Sequence, residues 1–215
     1  MRYFPINIDI QDKKCVVIGG GKVAYRKVLS LISAGAKVEI ISPAAIDEIE
    51  KLVNDSSVAW IKRKYEEGDL EGATLAFVAV DSSHIGPEVT SDAKVLGIPV
   101  NVADEPSQCS FTLPSIAERG DLLITVSTGG KCPALARHVR LSIETIIDDA
   151  YGEMLTILAE VREQLLEAKI GHDKCRDLLN KLISSGILSL LREGDNEKAS
   201  EIADEALARL LANKE

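Results

Sequence analysis

Residues 15–24 read CVVIGGGKVA, and this stretch decides the fold because an apolar run ends in three glycines before a helix-like segment begins. Gly19, Gly21 and Ala24 fit the pattern G-x-G-x-x-G/A, which forms a tight turn from strand to helix and leaves backbone N–H groups open to a phosphate. The positive end of the helix dipole adds to this attraction. The stretch predicts a dinucleotide-binding loop; the alternative is a glycine turn that binds nothing.

Apolar runs and helical patterns alternate through the first half of the chain. The strand-like runs are residues 16–18, 37–41, 58–61, 75–80 and 98–103, and helical patterns cover residues 45–53 and 84–96. This alternation predicts a doubly wound parallel sheet, a Rossmann-type α/β fold. Such sheets bind ligands at the carboxyl ends of their strands, which here are Gly19, Ser42, Val80 and Ala103.

The pattern changes after Cys109. Residues 110–116 and 122–128 are predicted to form two antiparallel strands, and a helix from Pro133 to Ile147 can cover one face of this hairpin, leaving the other for a second chain. Beyond Tyr151 every apolar run has helical spacing. We therefore predict a Rossmann domain at residues 1–108, a small α+β domain at 109–149 and a helical domain at 150–215.

Composition excludes several classes of protein. The chain has 215 residues and a net charge of −9, which argues against nucleic acid as a partner because phosphate binding needs clustered Lys and Arg. Its four cysteines show no metal-ligand spacing, so we predict neither a structural metal site nor a disulfide framework. No export signal or membrane-spanning run is visible, and we expect a cytoplasmic protein without a membrane partner.

The end of the second predicted strand lacks the acidic residue that usually binds the adenosine ribose. The strand ends in Ser42, Pro43 and Ala44, while Glu39 lies inside it. We expect the Ser42 side chain and the backbone of Pro43 and Ala44 to hold the ribose. Because no Arg stands there to bind a 2′-phosphate, the sequence favours NAD as the cofactor.

Two carboxylates follow predicted strands at the ligand edge. Asp81 comes directly after the run 75–80 and precedes two serines, which suits a helix N-cap as well as a cofactor contact. Asp104 follows the run 98–103 and caps no obvious helix. We therefore predict Asp104 as a general base, with a plain loop residue as the alternative.

Basic residues gather after the predicted hairpin despite the acidic total. We predict that they form a rim for a substrate with several carboxylates, the alternative being a glycine turn and a solvated helix face. The members of this basic rim are Arg119, Lys131, Arg137 and Arg140, with the hydroxyl of Thr128 beside them.

Four motifs together resemble the precorrin-2 dehydrogenase family, the single-polypeptide relatives of the amino-terminal part of siroheme synthase. They are FPINIDIQDKKCVVIGGGKVAYRK at residues 4–27, AVDSSHI at 79–85, PVNVADEPSQCSFTLPSI at 99–116 and LLITVSTGGKCPALARHVR at 122–140. The helical tail is similar only in kind.

The resemblance implies an NAD-binding domain, a dimerisation domain and a helical tail, with two subunits in a homodimer. It also implies transfer of a hydride from precorrin-2 to NAD⁺ to give sirohydrochlorin; many members then act as ferrochelatases, inserting Fe²⁺ to make sirohaem. Asp104 falls on the aspartate to which the family assigns proton removal. The implied cofactor contacts are Gly19, Gly21, Lys22, Val23, Pro43 and Ala44, and Thr128 stands where a relative carries Ser.

Two other functions stay open at this point. A regulatory module that senses NAD(H) would need the glycine loop but no base at Asp104. A dedicated chelatase would keep the loop only as a vestige.

Overall fold

The computed structural model describes residues 3–54, 58–80 and 84–212. Contacts divide the chain into two compact units, residues 1–113 and 114–215. The first unit contains β1 (Lys14–Ile18), α1 (Lys22–Ser33), β2 (Lys37–Ile41), α2 (Asp47–Asn54), β3 (Val58–Ile61), β4 (Leu75–Val78), α3 (Ile85–Leu96) and β5 (Val100–Val102). The second contains β6 (Ser115–Arg119), β7 (Leu122–Val126), α4 (Pro133–Glu144), α5 (Asp149–Glu167), α6 (His172–Ile183), α7 (Ile187–Arg192) and α8 (Asn196–Ala212).

The first unit is built on a five-stranded sheet with the order β3-β2-β1-β4-β5, in which every neighbouring pair is parallel. The chain moves outward from β1 to β3 and then returns to place β4 against β1. This reversal creates the crevice in which open α/β sheets bind ligands. The Rossmann-type α/β fold predicted from the sequence is confirmed.

The central strand β1 supplies apolar side chains to both faces of the sheet. Cys15 and Val17 belong to the cluster that includes residues of α1 and α2, whereas Val16 and Ile18 belong to the cluster that includes residues of α3. All four are buried, and each fully buried aliphatic side chain contributes about 1.5–3 kcal/mol relative to an exposed one. Burial on both faces explains the continuous apolar run in the sequence.

The second unit begins with the hairpin of β6 and β7, joined at Gly120, which has a φ of 57°. The prediction of a strand at residues 110–116 is wrong. Ser110 instead donates its N–H to the Val100 carbonyl at 2.9 Å and accepts the Val100 N–H on its hydroxyl at 2.7 Å, so this segment runs along β5. The first hairpin strand therefore starts only at Ser115, directly after Pro114.

The four helices after the hairpin share a core of their own. Leu165 of α5, Leu182 of α6 and Ile187 of α7 are fully buried in it, together with Ala199 of α8. The hairpin, α4 and this bundle all belong to one compact unit. The domain boundaries expected from the sequence, at residues 108 and 149, stay predictions. Among the described helices none is long and apolar enough to cross a membrane.

A bidentate ion pair fixes the connection from β3 to β4. Arg63 donates to both carboxylate oxygens of Asp69 at 2.8 and 2.6 Å, and the Glu66 N–H donates to the same carboxylate at 2.8 Å. These hydrogen bonds, led by those from Arg63, lower the pKa of Asp69. A lowered pKa in the folded state means that the carboxylate stabilises the fold above its usual pKa and loses that contribution as pH falls.

We expect Asp69→Asn to lower the free energy of unfolding by about 1.5 kcal/mol at neutral pH, because a charge-assisted bidentate contact is lost. The difference from wild type should begin to shrink as pH falls below about 4, the usual pKa of an aspartate, and should vanish only below the lowered pKa of the folded state. Urea unfolding at several pH values measures both effects. Glu67→Gln removes an exposed carboxylate from the same connection and should change little; equal effects of the two variants would contradict the role of Asp69.

Candidate active site

The glycine loop after β1 approaches the end of β4 so closely that Gly19 has no room for a side chain. Its φ is +128°, and a Cβ there would lie 2.2 Å from the Ala79 carbonyl oxygen. The Gly19 N–H also donates to the Ile41 carbonyl at 3.0 Å. The first glycine of the motif therefore joins the loop to the strands on both sides of β1.

Gly20 makes an equally close approach to the turn after β2. A Cβ on Gly20 would lie 2.0 Å from the Ala44 carbonyl oxygen, and the Gly20 carbonyl accepts the Ile46 N–H at 2.9 Å. Sequence reasoning selected the first and third glycines of the triplet and missed this one. The run of three glycines was itself a signal for Gly20, because the pattern G-x-G-x-x-G/A does not require glycine at the middle position.

Gly21 and the first turn of α1 form an open cradle for an anion. A Cβ on Gly21 would meet nothing within 4 Å, and Gly21 caps the helix without a side-chain hydrogen bond. The first backbone hydrogen bond of α1 runs from the Tyr25 N–H to the Gly21 carbonyl at 2.9 Å. The N–H groups of Lys22 and Val23 therefore precede the hydrogen-bonded part of the helix. With no acidic residue in this turn, the cradle fits the pyrophosphate of a dinucleotide.

The turn after β2 is fixed by Ser42. The Ser42 hydroxyl donates to the Ala44 carbonyl at 2.6 Å, and the Ser42 carbonyl accepts the indole N–H of Trp60 at 2.9 Å. Ser42 is buried, so its hydroxyl holds the turn, whereas Pro43 and Ala44 are exposed at the edge. Ribose contact by the Ser42 side chain stays a prediction that this geometry does not favour.

Asp104 lies just beyond β5 at the same edge of the sheet. It is exposed and has a φ of 60°, a left-handed conformation that costs a non-glycine residue about 1 kcal/mol or more. The preceding residue anchors it, because the Ala103 N–H donates to the Val78 carbonyl at 2.9 Å. The other predicted carboxylate, Asp81, lies outside the described residues.

The thiol of Cys109 holds together the segment that carries Asp104. It accepts the Val102 N–H at 3.2 Å and lies 3.4 Å from the Glu105 carbonyl, to which it can donate. Asn101 extends this network, since its amide donates to the Phe111 carbonyl at 3.1 Å and contacts the Cys109 sulfur at 3.6 Å. No local sequence pattern indicates this role of the thiol, because its partners are backbone atoms brought together by the fold.

The predicted basic rim belongs to the second unit. Arg119 forms an ion pair with Asp149 at 3.1 Å and Arg140 with Glu144 at 2.5 Å, so these two cations are already matched. Lys131 and Arg137 are exposed, and no ion pair holds either of them within the described part of the chain. The Thr128 hydroxyl accepts the Cys132 N–H at 3.2 Å.

Across residues 3–54, 58–80 and 84–212, no group of three or more His, Cys, Asp or Glu side chains is placed to hold a metal ion.

The parallel sheet, the glycine cradle and its uncapped helix define an NAD(P)-binding α/β protein. Residues 6–115 match the family described as putative NAD(P)-binding, which supports NAD as the cofactor.

Relatives extend the similarity to almost the whole chain. The siroheme synthase of Vesicomyosocius okutanii is 36% identical over 88% of this chain and 40% of the relative. That of Pseudomonas paraeruginosa is 33% identical over 99% of this chain and 46% of the relative. The solved structure of SirC, precorrin-2 dehydrogenase, superimposes with a TM-score of 0.73 over 94% of this chain and 100% of that one, at 20% identity.

The chain belongs to the putative NAD(P)-binding family. Most of its length is similar to siroheme synthases, as its motifs indicated. It spans less than half the length of the siroheme synthases that it matches.

Gly20→Ala should weaken NAD⁺ binding about tenfold or more, because the new Cβ displaces the turn at Ala44 by overpacking. Isothermal titration calorimetry measures the affinity. Ser30→Ala, an equally small change on the exposed side of α1, serves as the control and should bind like wild type. If Gly20→Ala bound NAD⁺ as tightly as wild type, the expectation that the cofactor lies against this loop would be contradicted.

Proposed function

We propose that this protein oxidises precorrin-2 to sirohydrochlorin with NAD⁺, as a step in sirohaem biosynthesis. The observation that carries the proposal is the position of Asp104, held in a left-handed conformation at the edge where the glycine cradle opens. A module that only sensed NAD(H) would have no need of an exposed carboxylate in a costly backbone conformation.

The reaction removes two hydrogens from the tetrapyrrole, one as a hydride and one as a proton. Bound NAD⁺ supplies the chemistry of a hydride acceptor. In this proposal the carboxylate of Asp104 accepts the proton from the macrocycle and releases it to solvent, to which the side chain is open. Precorrin-2 and NAD⁺ are consumed, and sirohydrochlorin, NADH and one proton are produced.

The end of β2 favours NAD over its 2′-phosphorylated form. Pro43 and Ala44 carry no charge, and Glu39 inside the strand is occupied by an ion pair with Lys14 at 2.9 Å. A 2′-phosphate is normally matched by an arginine near this position. Backbone groups of the exposed turn are left to bind the ribose hydroxyls.

The substrate is a macrocycle with several carboxylates, so it requires cations. Lys131 and Arg137 suit this role best, being exposed and not engaged in an ion pair in the described residues. Three other predicted substrate contacts already have partners in the structure: Arg119, Arg140 and Thr128. To bind the substrate, each side chain would have to exchange its present partner or share it.

Insertion of Fe²⁺ into sirohydrochlorin is a second proposed step, in which the metal ion is a substrate. The siroheme synthase names of the relatives favour it. Metal insertion requires loss of two pyrrole protons, and in this proposal the Asp104 carboxylate accepts them in turn and releases them to solvent.

We further propose that the protein works in the cytoplasm.

The outer face of the hairpin includes exposed apolar side chains that suit a homodimer. Ile116 of β6 and Leu123 of β7 are 43% and 44% exposed, while α4 packs against both strands of the hairpin. Leu135 on α4 adds a further exposed apolar side chain. Pairing with a second copy would cover such surface, as the family resemblance implies, and we propose the hairpin as the centre of that interface.

Asp104→Ala should lower kcat for sirohydrochlorin formation by about a hundredfold or more, because the proton acceptor is lost. Anaerobic assays with precorrin-2 and NAD⁺ follow the near-ultraviolet absorbance of reduced nicotinamide, and calorimetry checks that NAD⁺ binding persists. Glu105→Gln, a change at the adjacent exposed carboxylate, is the matched control and should retain activity. Equal turnover by Asp104→Ala and wild type would refute the assignment, and no turnover by either would favour the NAD(H) sensor.

Leu123→Glu should convert the dimer to a monomer, since it places a charge at the centre of the proposed interface. Sedimentation velocity measures the change in mass. Leu96→Glu alters a residue of nearly equal exposure, 45% against 44%, on α3 of the first unit and should stay dimeric. A wild-type protein that sediments as a monomer would rule out the interface.

A further inference from the structure

The carboxyl end of β3 is followed by three consecutive basic residues, KRK at 62–64, that the proposed reaction does not use. Because β3 is parallel to β2, this end lies at the ligand edge of the sheet, next to the turn after β2. Ile61 is paired with Ile41, and the Ser42 N–H donates to the Ile61 carbonyl at 3.2 Å. The basic run therefore begins beside the turn that we expect the adenosine ribose to contact.

Lys62 is the member of this run whose ammonium is tied to the turn by contacts. Its nitrogen lies 4.1 Å from the centre of the Trp60 ring, within the range of a cation–π contact. The same indole donates its N–H to the Ser42 carbonyl at 2.9 Å. Arg63, in contrast, is directed away from this role, because it donates to both carboxylate oxygens of Asp69 at 2.8 and 2.6 Å.

The ammonium of Lys62 remains open to a ligand. The residue is exposed, and no other residue that the structure describes forms a hydrogen bond or an ion pair with this ammonium. An aromatic face attracts a cation without satisfying its N–H donors, so these donors stay available to an anion. Lysine binds phosphate as a point charge. A phosphate placed beyond the turn at Ser42 would therefore find a cation already held at that corner.

The turn after β2 also lacks the group that normally excludes a 2′-phosphate. In NAD sites an Asp or Glu at the end of this strand binds the ribose 2′-hydroxyl, and its charge repels a phosphate at that position. Residues 40–46 read IISPAAI and contain no acidic side chain. Acidic residues resume with Asp47 and Glu48 in the first turn of α2, where the helix dipole favours them. The turn itself therefore does not repel a phosphate.

We propose that this site binds NADP⁺ as well as NAD⁺, and that Lys62 supplies from β3 the cation for the 2′-phosphate that β2 does not provide. The absence of an arginine at the end of β2 concerns that strand alone. The proposal rests on the proposed course of the cofactor over the glycine loop, but it does not rest on the oxidation of precorrin-2. NAD⁺ carries no 2′-phosphate, so its binding does not depend on Lys62.

The competing explanation is that Lys62 only covers the indole ring of Trp60. Methionine is a flexible, unbranched residue that can keep this packing, so Lys62→Met removes the charge and separates the two explanations. Lys62→Arg keeps a cation that suits phosphate and should preserve NADP⁺ binding. Lys64→Met removes an exposed lysine from the same basic run and is the matched control for a general loss of positive charge.

Isothermal titration calorimetry of the full chain with NAD⁺ and with NADP⁺ tests the proposal. The wild-type Kd for NADP⁺ should lie within about tenfold of the Kd for NAD⁺. Lys62→Met should weaken NADP⁺ binding by about tenfold or more and leave NAD⁺ binding unchanged, which also shows that the variant is folded. Lys62→Arg and Lys64→Met should bind both cofactors nearly as wild type does.

Salt provides a second measurement on the same proteins. Raising the ionic strength should weaken wild-type binding of NADP⁺ more than that of NAD⁺, because the contact between the ammonium and the 2′-phosphate is exposed and therefore screened. In Lys62→Met this difference between the two cofactors should shrink. A salt dependence that is the same for both cofactors in wild type would contradict an ionic contact at the 2′ position.

A wild-type protein that binds NAD⁺ but not NADP⁺ would overturn the proposal, as would equal losses of both cofactors in Lys62→Met. Equal losses of NADP⁺ affinity in Lys62→Met and Lys64→Met would also overturn it, since the basic run as a whole would then attract the phosphate. If the protein binds both cofactors but does not oxidise precorrin-2, the proposed function fails and this inference stands. Binding of neither cofactor would overturn both.

Discussion

The close approach of backbone to backbone at Gly19 and Gly20 is the constraint on which the rest of the site depends. A single added carbon at either residue would fall within 2.2 Å of a carbonyl oxygen, from Ala79 on one side and Ala44 on the other. The glycine loop is thus held between the ends of β4 and β2. This places the start of α1, the exposed turn at Pro43 and the beginning of the Asp104 segment along one edge of the sheet.

One residue at this edge has an unfavourable backbone conformation, and hydrogen bonds of the neighbouring residues hold the chain there. Asp104 takes a left-handed backbone conformation. The residues beside it are held by the Ala103 N–H, which donates to the Val78 carbonyl of β4, and by the Cys109 thiol, which lies 3.4 Å from the Glu105 carbonyl. Under the proposed function, exposure suits a base that must exchange protons with water, and a fixed backbone suits one that must meet a large substrate in one orientation.

Local sequence patterns predicted the parallel sheet because it depends on apolar periodicity and on where each run ends, and they predicted that Asp104 follows the last of these runs. The role of Asp104 as a base stays a prediction. These patterns did not predict contacts that require the folded chain. The close approach of Gly20 to Ala44 and the hydrogen bonds of the Cys109 thiol depend on backbone atoms that only the fold brings together. The strand expected at residues 110–116 failed for a similar reason, since Ser110 pairs with Val100 rather than with the hairpin.

Trp60 gives the molecule an internal optical reporter. It is the single tryptophan of the chain, its indole donates to the Ser42 carbonyl at 2.9 Å, and the ammonium of Lys62 lies 4.1 Å from its ring centre. Ser42 belongs to the turn that meets Gly20, so the emission of this one chromophore reports on that corner alone. If NAD⁺ binds over this turn, as proposed, the intrinsic fluorescence of Trp60 would report its binding without any label.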